Sequence, residues 1–248
     1  MGNFAEHGEV GAAVHVIVRG EPVVDLVGGW ADEARTRPWR HDTIVDVYSV
    51  GKAIVSLLAL RLVGTGDLRL DQPVADVWPE FAAGGKAGAT VAHALSHRAG
   101  VPAIRERLTD DDLLDWRTMT AALAGTPAWW PPGDQLAYHV NTFGHLVGEI
   151  VHRAGGAMPG DALRALAAPL DADVWFGVPP EEQHRCADIV WAPARPVATA
   201  VDFDALDGDA LLFALAHVNP PGYSSVGLVN TPAWRSLPLP STAGHASA

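Results

Sequence analysis

With 248 residues and 48% hydrophobic content, the chain can bury one sizeable core or two closely joined ones, so it is expected to be globular. Lys+Arg 17 against Asp+Glu 29 leave a formal net charge of -12, which repels phosphate backbones and anionic lipid; neither nucleic acid nor a membrane is an expected partner. The single cysteine, Cys186, rules out an intrachain disulfide and reads as a small buried thiol.

The opening residues, Met1 to His7, have neither the basic start nor the apolar run of a signal peptide, and no apolar stretch approaches membrane-spanning length. A cytoplasmic protein is expected. Residues 12–18 and 22–29 are short, β-branched and separated by a Gly-containing turn, the pattern of a hairpin. A polar, Arg-rich connection follows at 31–42. Residues 49–63 are good helix formers and apolar on nearly every side except at Lys52, Ser56 and Arg61, which predicts a helix enclosed in the core. Gly64-Thr65-Gly66-Asp67 ends it, and the next loop leads into a short helix near Val77. Further helices are predicted over 90–96, over 110–124 with aspartates in the first turn, and over 142–151. Beyond Gly155 the signals weaken, leaving a helix at 161–168, a strand at 174–178 and a helix at 209–217. One domain over 1–248 is expected, with a helical subregion at about 68–155.

Only two lysines occur, Lys52 and Lys86, so their positions are informative. Ser49-Val50-Gly51-Lys52 is an S-x-x-K motif at a helix start. Residues i and i+3 share a helical face, so the amine can reach the hydroxyl. A helix N-terminus adds backbone N–H groups and partial positive charge that favour an oxyanion, and a lysine in apolar surroundings has a depressed pKa and can act as a base. With 8 serines and 2 lysines, chance supplies about 0.06 such spacings, so context must decide. The competing reading makes Ser49 a helix cap and Lys52 a surface lysine with its charge in water.

That context is a collinear series. Tyr48-Ser49-Val50-Gly51-Lys52, the run from Gly64 to Val74, Ala94-Leu95-Ser96-His97-Arg98-Ala99-Gly100-Val101-Pro102, Pro132-Gly133-Asp134 and Tyr138-His139, with Thr142 to Glu149, resemble the class C β-lactamase-related serine hydrolases. The resemblance covers residues 12–155 well and continues more loosely to Trp234. It implies a mixed α/β (α+β) fold, a β-lactamase-like sandwich of an antiparallel sheet and a helical region, with Ser49 at their junction. It also implies acyl transfer through an acyl-serine, to water as an esterase or amidase or to another acceptor as a transacylase, on a small-molecule ester or amide, without a cofactor. Ser49 would be the nucleophile, Lys52 its proton partner and Tyr138 a general base whose phenolate the Lys52 charge favours.

The sequence departs from the pattern in two places. Tyr138-His139-Val140 stands where many relatives have Tyr-x-Asn, with Asn141 one position late, so His139 and Asn141 are candidate substrate contacts. Relatives also continue past the equivalent of Gly244-His245 into strands that carry a third motif and a second oxyanion donor. The chain is therefore expected to lack C-terminal strands, to expose a hairpin edge, and to self-associate or need a complementing chain, with low activity by itself. The alternative function is a catalytically incomplete binding module. Trp129 and Trp130, beside two prolines, are candidate walls of an acyl pocket. No metal is expected, since His93 and His97 are spaced i, i+4 but have no third ligand in view.

Overall fold

The computed structural model describes residues 2–191, 201–224 and 228–248. In chain order the elements are α1 (Gly2–Glu6), β1 (Gly11–Val18), β2 (Glu21–Gly29), β3 (Val45–Asp46), α2 (Val50–Thr65), α3 (Val91–Leu95), α4 (Asp110–Leu113), α5 (Trp116–Gly125), α6 (Thr142–Gly155), α7 (Pro159–Ala167), β4 (Val174–Phe176), α8 (Gly208–Val218), α9 (Pro232–Arg235) and β5 (Gly244–Ala246), joined by short 3-10 turns. The α+β content is as predicted. No described helix is long and apolar enough to cross a membrane.

The helical body forms around α2 and α6. Val55, Leu58 and Ala59 of α2 meet Phe143, Leu146, Val147, Ile150 and Val151 of α6 in one core, which also takes Trp78, Phe81, Met119 and Leu123. Glycines in α6 set how closely its neighbours approach. A Cβ at Gly144 would collide with Ser241, and one at Gly148 would meet the Trp116 ring at 2.6 Å. Gly66 closes α2 in the left-handed region, returning its N–H to the Leu62 and Val63 carbonyls.

Two helix expectations need correction. The stretch 110–124 is two helices, because Asp115 leaves helical geometry and caps α5, accepting the Arg117 N–H, while Thr109 and Asp112 form a capping box on α4. Helix α2 is enclosed on one side only, since Val50, Leu57 and Leu60 are exposed. An apolar composition all round marked it for burial on every face, but among the described residues nothing covers the second face.

The strands form two separate sheets. β5 lies between β3 and β4, antiparallel to both, so that His245 faces Asp46 on one side and Trp175 on the other. β1 and β2 pair from Gly11↔Gly29 to Val18↔Glu21, with a bulge at Val16/Ile17 and a turn through Arg19 and Gly20, both at positive φ. This hairpin is a sheet of its own, and Val14, Val16, Ile17, Val18, Val23 and Leu26 are all exposed on it. Cys186 is buried with Ile44 and Val178, and burial pushes its thiol up to about 11.

Candidate active site

The turn from β3 into α2 places Ser49 at the helix N-cap position. Tyr48 before it has φ 46, a left-handed conformation uncommon for a side chain of this size. Asp46 holds that turn: one carboxyl oxygen accepts the Tyr48 N–H at 2.8 Å and the other accepts the Trp234 indole N–H at 3.0 Å. Burial raises the Asp46 carboxyl to about 7.

Ser49 makes no side-chain capping bond. Its exposed hydroxyl instead lies 3.0 Å from the Lys52 amine. Lys52 is buried, its Nζ also donates to the Ser241 carbonyl at 3.2 Å, and desolvation pulls its pKa down to about 8. The hydroxyl is therefore not spent on a cap and the amine does not reach for water, which sets aside the helix-cap and surface-lysine reading. One expectation is narrowed. The N–H groups of Val50, Gly51 and Lys52 are occupied by turn bonds to the carbonyls of Val47, Tyr48 and Ser49, which leaves the Ser49 N–H as the unpaired donor beside the hydroxyl among the described residues.

Ser241 is a component of the site that sequence reasoning missed. It lies far along the chain, yet the segment 239–243 is buried against the starts of α2 and α6. A Cβ on Gly51 would collide with the Pro240 carbonyl, and the Ser241 hydroxyl donates to the Asn141 carbonyl at 2.9 Å. The readable signal was two helix glycines, Gly51 and Gly144, whose missing Cβ atoms leave room for the 240–241 segment.

Tyr138 is half-exposed, and the Lys52 Nζ stands 5.0 Å from its ring centroid. Ser49, Lys52 and Tyr138 are thus together. The four remaining candidates are placed differently. His139 is fully buried, with Nε2 accepting the Val101 N–H at 3.3 Å and Nδ1 donating to the Ala137 carbonyl at 2.6 Å, so neither ring nitrogen is free for a substrate. The Asn141 amide donates to the Ala216 carbonyl of α8 at 2.7 Å. The Trp129 indole donates to the Ala103 carbonyl at 2.9 Å, and the Arg105 guanidinium lies 3.6 Å over its ring. Trp130 has a buried indole N–H without a hydrogen-bond partner among the described residues. His93 closes the capping box of α3 with Thr90, while His97 accepts a backbone N–H, so the two histidines have separate tasks.

A serine held at the junction of a short antiparallel sheet and a helical body is a β-lactamase-like arrangement, and a family model described as Beta-lactamase matches residues 2–233. The chain belongs to that family. It is 37% identical over 201 residues to the Esterase/beta-lactamase LipL of Mycobacterium tuberculosis, covering 77% of this chain and 44% of that protein. It is 34% identical over 176 residues to the Esterase EstB of Burkholderia gladioli, covering 64% of this chain and 44% of that one. Among solved structures, a family VIII carboxylesterase superposes with a TM-score of 0.86 at 36% identity, and a penicillin-binding protein homologue from Caulobacter crescentus with 0.84 at 40%. Each superposition covers 99% of this chain and 63% of the other. The chain therefore spans about half the length of the curated relatives it matches.

Proposed function

We propose that this protein is a serine hydrolase acting on small acyl esters or amides through an acyl-Ser49 intermediate. The observation that carries the reading is the 3.0 Å contact between an uncapped, exposed Ser49 hydroxyl and a buried Lys52 amine. An amine held near about 8 has a usable neutral fraction at neutral pH and can accept the hydroxyl proton as Oγ attacks the substrate carbonyl. The Oγ–C bond forms, the carbonyl electrons move onto oxygen opposite the Ser49 N–H, and collapse expels the alkoxide or amine, which takes the proton back. Tyr138, beside Lys52, is proposed as the relay that carries this proton between Lys52 and the leaving group. Water then releases the acid and restores Ser49, or an alcohol or amine takes the acyl group instead. Esterase names among relatives at 37% and 34% identity favour water as acceptor.

The test is labelling of the 248-residue chain with a fluorescent fluorophosphonate, followed by peptide mapping. Label on Ser49, lost in Ser49→Ala, is expected. Label on another serine, or undiminished labelling of the variant, would overturn the assignment. A second reading, that the chain is an incomplete module needing a partner copy or another polypeptide, is supported by the exposed apolar residues of the hairpin and of α2. A binding module would bind acyl ligands without labelling.

A further inference from the structure

We propose that His97 is the positioning residue for Tyr138, an inference that rests on the reading of Tyr138 as the proton relay. The tyrosine has little to hold it. It is half-exposed and its hydroxyl has no partner among the described residues, so its direction depends on the backbone either side of it. That backbone is clamped by one residue. The His97 carbonyl accepts the Ala137 N–H at 3.2 Å, and the His97 Nδ1 accepts the His139 N–H at 3.0 Å. The two bonds bracket Tyr138 on both sides. The imidazole ring then lies against the phenol with centroids 4.7 Å apart, backed on Phe143 at 4.6 Å.

The clamp is returned from the facing segment. His139 uses Nε2 to accept the Val101 N–H at 3.3 Å, so segments 97–101 and 137–139 are tied by a reciprocal histidine pair. His97 can accept only through an unprotonated Nδ1, which requires the neutral ring with its proton on Nε2. Burial first, and the Lys52 charge second, pull its pKa down to about 4, which agrees with that state. His97 also has φ 60, a left-handed conformation reached just past the end of α3, and that conformation turns the ring back towards Tyr138. Asparagine tolerates this backbone better than most residues and carries an acceptor oxygen at the position of Nδ1. Glutamine sets its acceptor one bond further out, and phenylalanine keeps the ring but has no acceptor.

The experiment measures pre-steady-state p-nitrophenolate release from p-nitrophenyl acetate by the 248-residue chain, giving an acylation rate and an apparent KM. His97→Asn is expected to stay within about threefold of the parent rate, while His97→Gln and His97→Phe fall about 10- to 100-fold with KM unchanged within about twofold. In a Tyr138→Phe background the same His97 substitutions should cost less than about twofold more, because the group they position is gone. Equal losses in both backgrounds, or a His97→Asn variant as slow as His97→Phe, would overturn the proposal. Should His97→Phe fail to fold by circular dichroism, the Asn and Gln pair decides in its place. A Tyr138→Phe chain as fast as the parent would remove the Tyr138 reading itself, a result distinguishable from failure of the clamp.

Discussion

The two lysines occupy environments that burial alone does not distinguish. Lys52 and Lys86 are both buried, and desolvation pulls each down to about 8. Their hydrogen bonds differ. Lys86 donates to the carbonyls of Ala83 at 2.6 Å, Ala124 at 2.9 Å and Thr126 at 2.5 Å, which uses all three ammonium protons and caps the C-terminal end of α5. Those dipoles favour the charged form, against the effect of burial. Lys52 has one carbonyl and one hydroxyl, and its second partner is a group that can give up a proton. A depressed lysine pKa is therefore no sign of chemistry unless a reactive partner completes the shell.

The largest expected effect separates the two by substitution. Lys52→Met should slow Ser49 labelling by about 10²–10⁴-fold, and Lys52→Arg should be nearly as slow because a guanidinium cannot take a proton. Lys86→Met should label within about threefold of the parent at 25 °C but lose about 1–3 kcal/mol of stability in urea denaturation, since three carbonyls lose their donor. Lys52→Met is expected to lose no stability at pH 7. A folded-state pKa of about 8 against 10.5 is a cost of roughly 3 kcal/mol that is present below pH 8 and disappears as pH rises towards 10.5. A Lys86→Met chain that no longer labels, or a Lys52→Arg chain within about tenfold of the parent, would erase the distinction.

A smaller effect sharpens it. With only two lysines in the chain, side-chain ¹⁵N resonances can be followed individually. Labelling should rise with the titration of the Lys52 signal, at about 8, and keep that profile in Lys86→Met, because only the neutral amine beside Ser49 accepts the proton. A labelling profile flat from pH 6 to 9 would count against Lys52 as base.

The smallest expected effect on chemistry concerns the hairpin, the region least enclosed by the rest of the molecule. Val14 and Leu26 are register partners and both are exposed. Replacing both with lysine should shift the chain towards its 26.1 kDa monomer in size-exclusion chromatography with light scattering, while labelling changes less than about twofold. A parent chain already monomeric at the same concentration would sink the self-association reading.

Much of this was readable from local pattern. The S-x-x-K spacing brings amine to hydroxyl within one helical turn, and the hairpin, α2 and α6 follow from short-range periodicity and turn residues. The family was legible because several short matches lie in order along the chain. What the sequence could not determine depends on contacts between distant segments. The Ser241 carbonyl reaches Lys52 only because 239–243 packs onto Gly51 and Gly144, and the His97–His139 clamp exists only once α3 and the 137–139 segment are neighbours. The tertiary structure likewise fixed His139 as a tie rather than a substrate contact, surrounded Lys86 with carbonyls, and left the outer face of α2 open. Periodicity records which faces are apolar, but which of them are covered depends on what the rest of the fold lays against them.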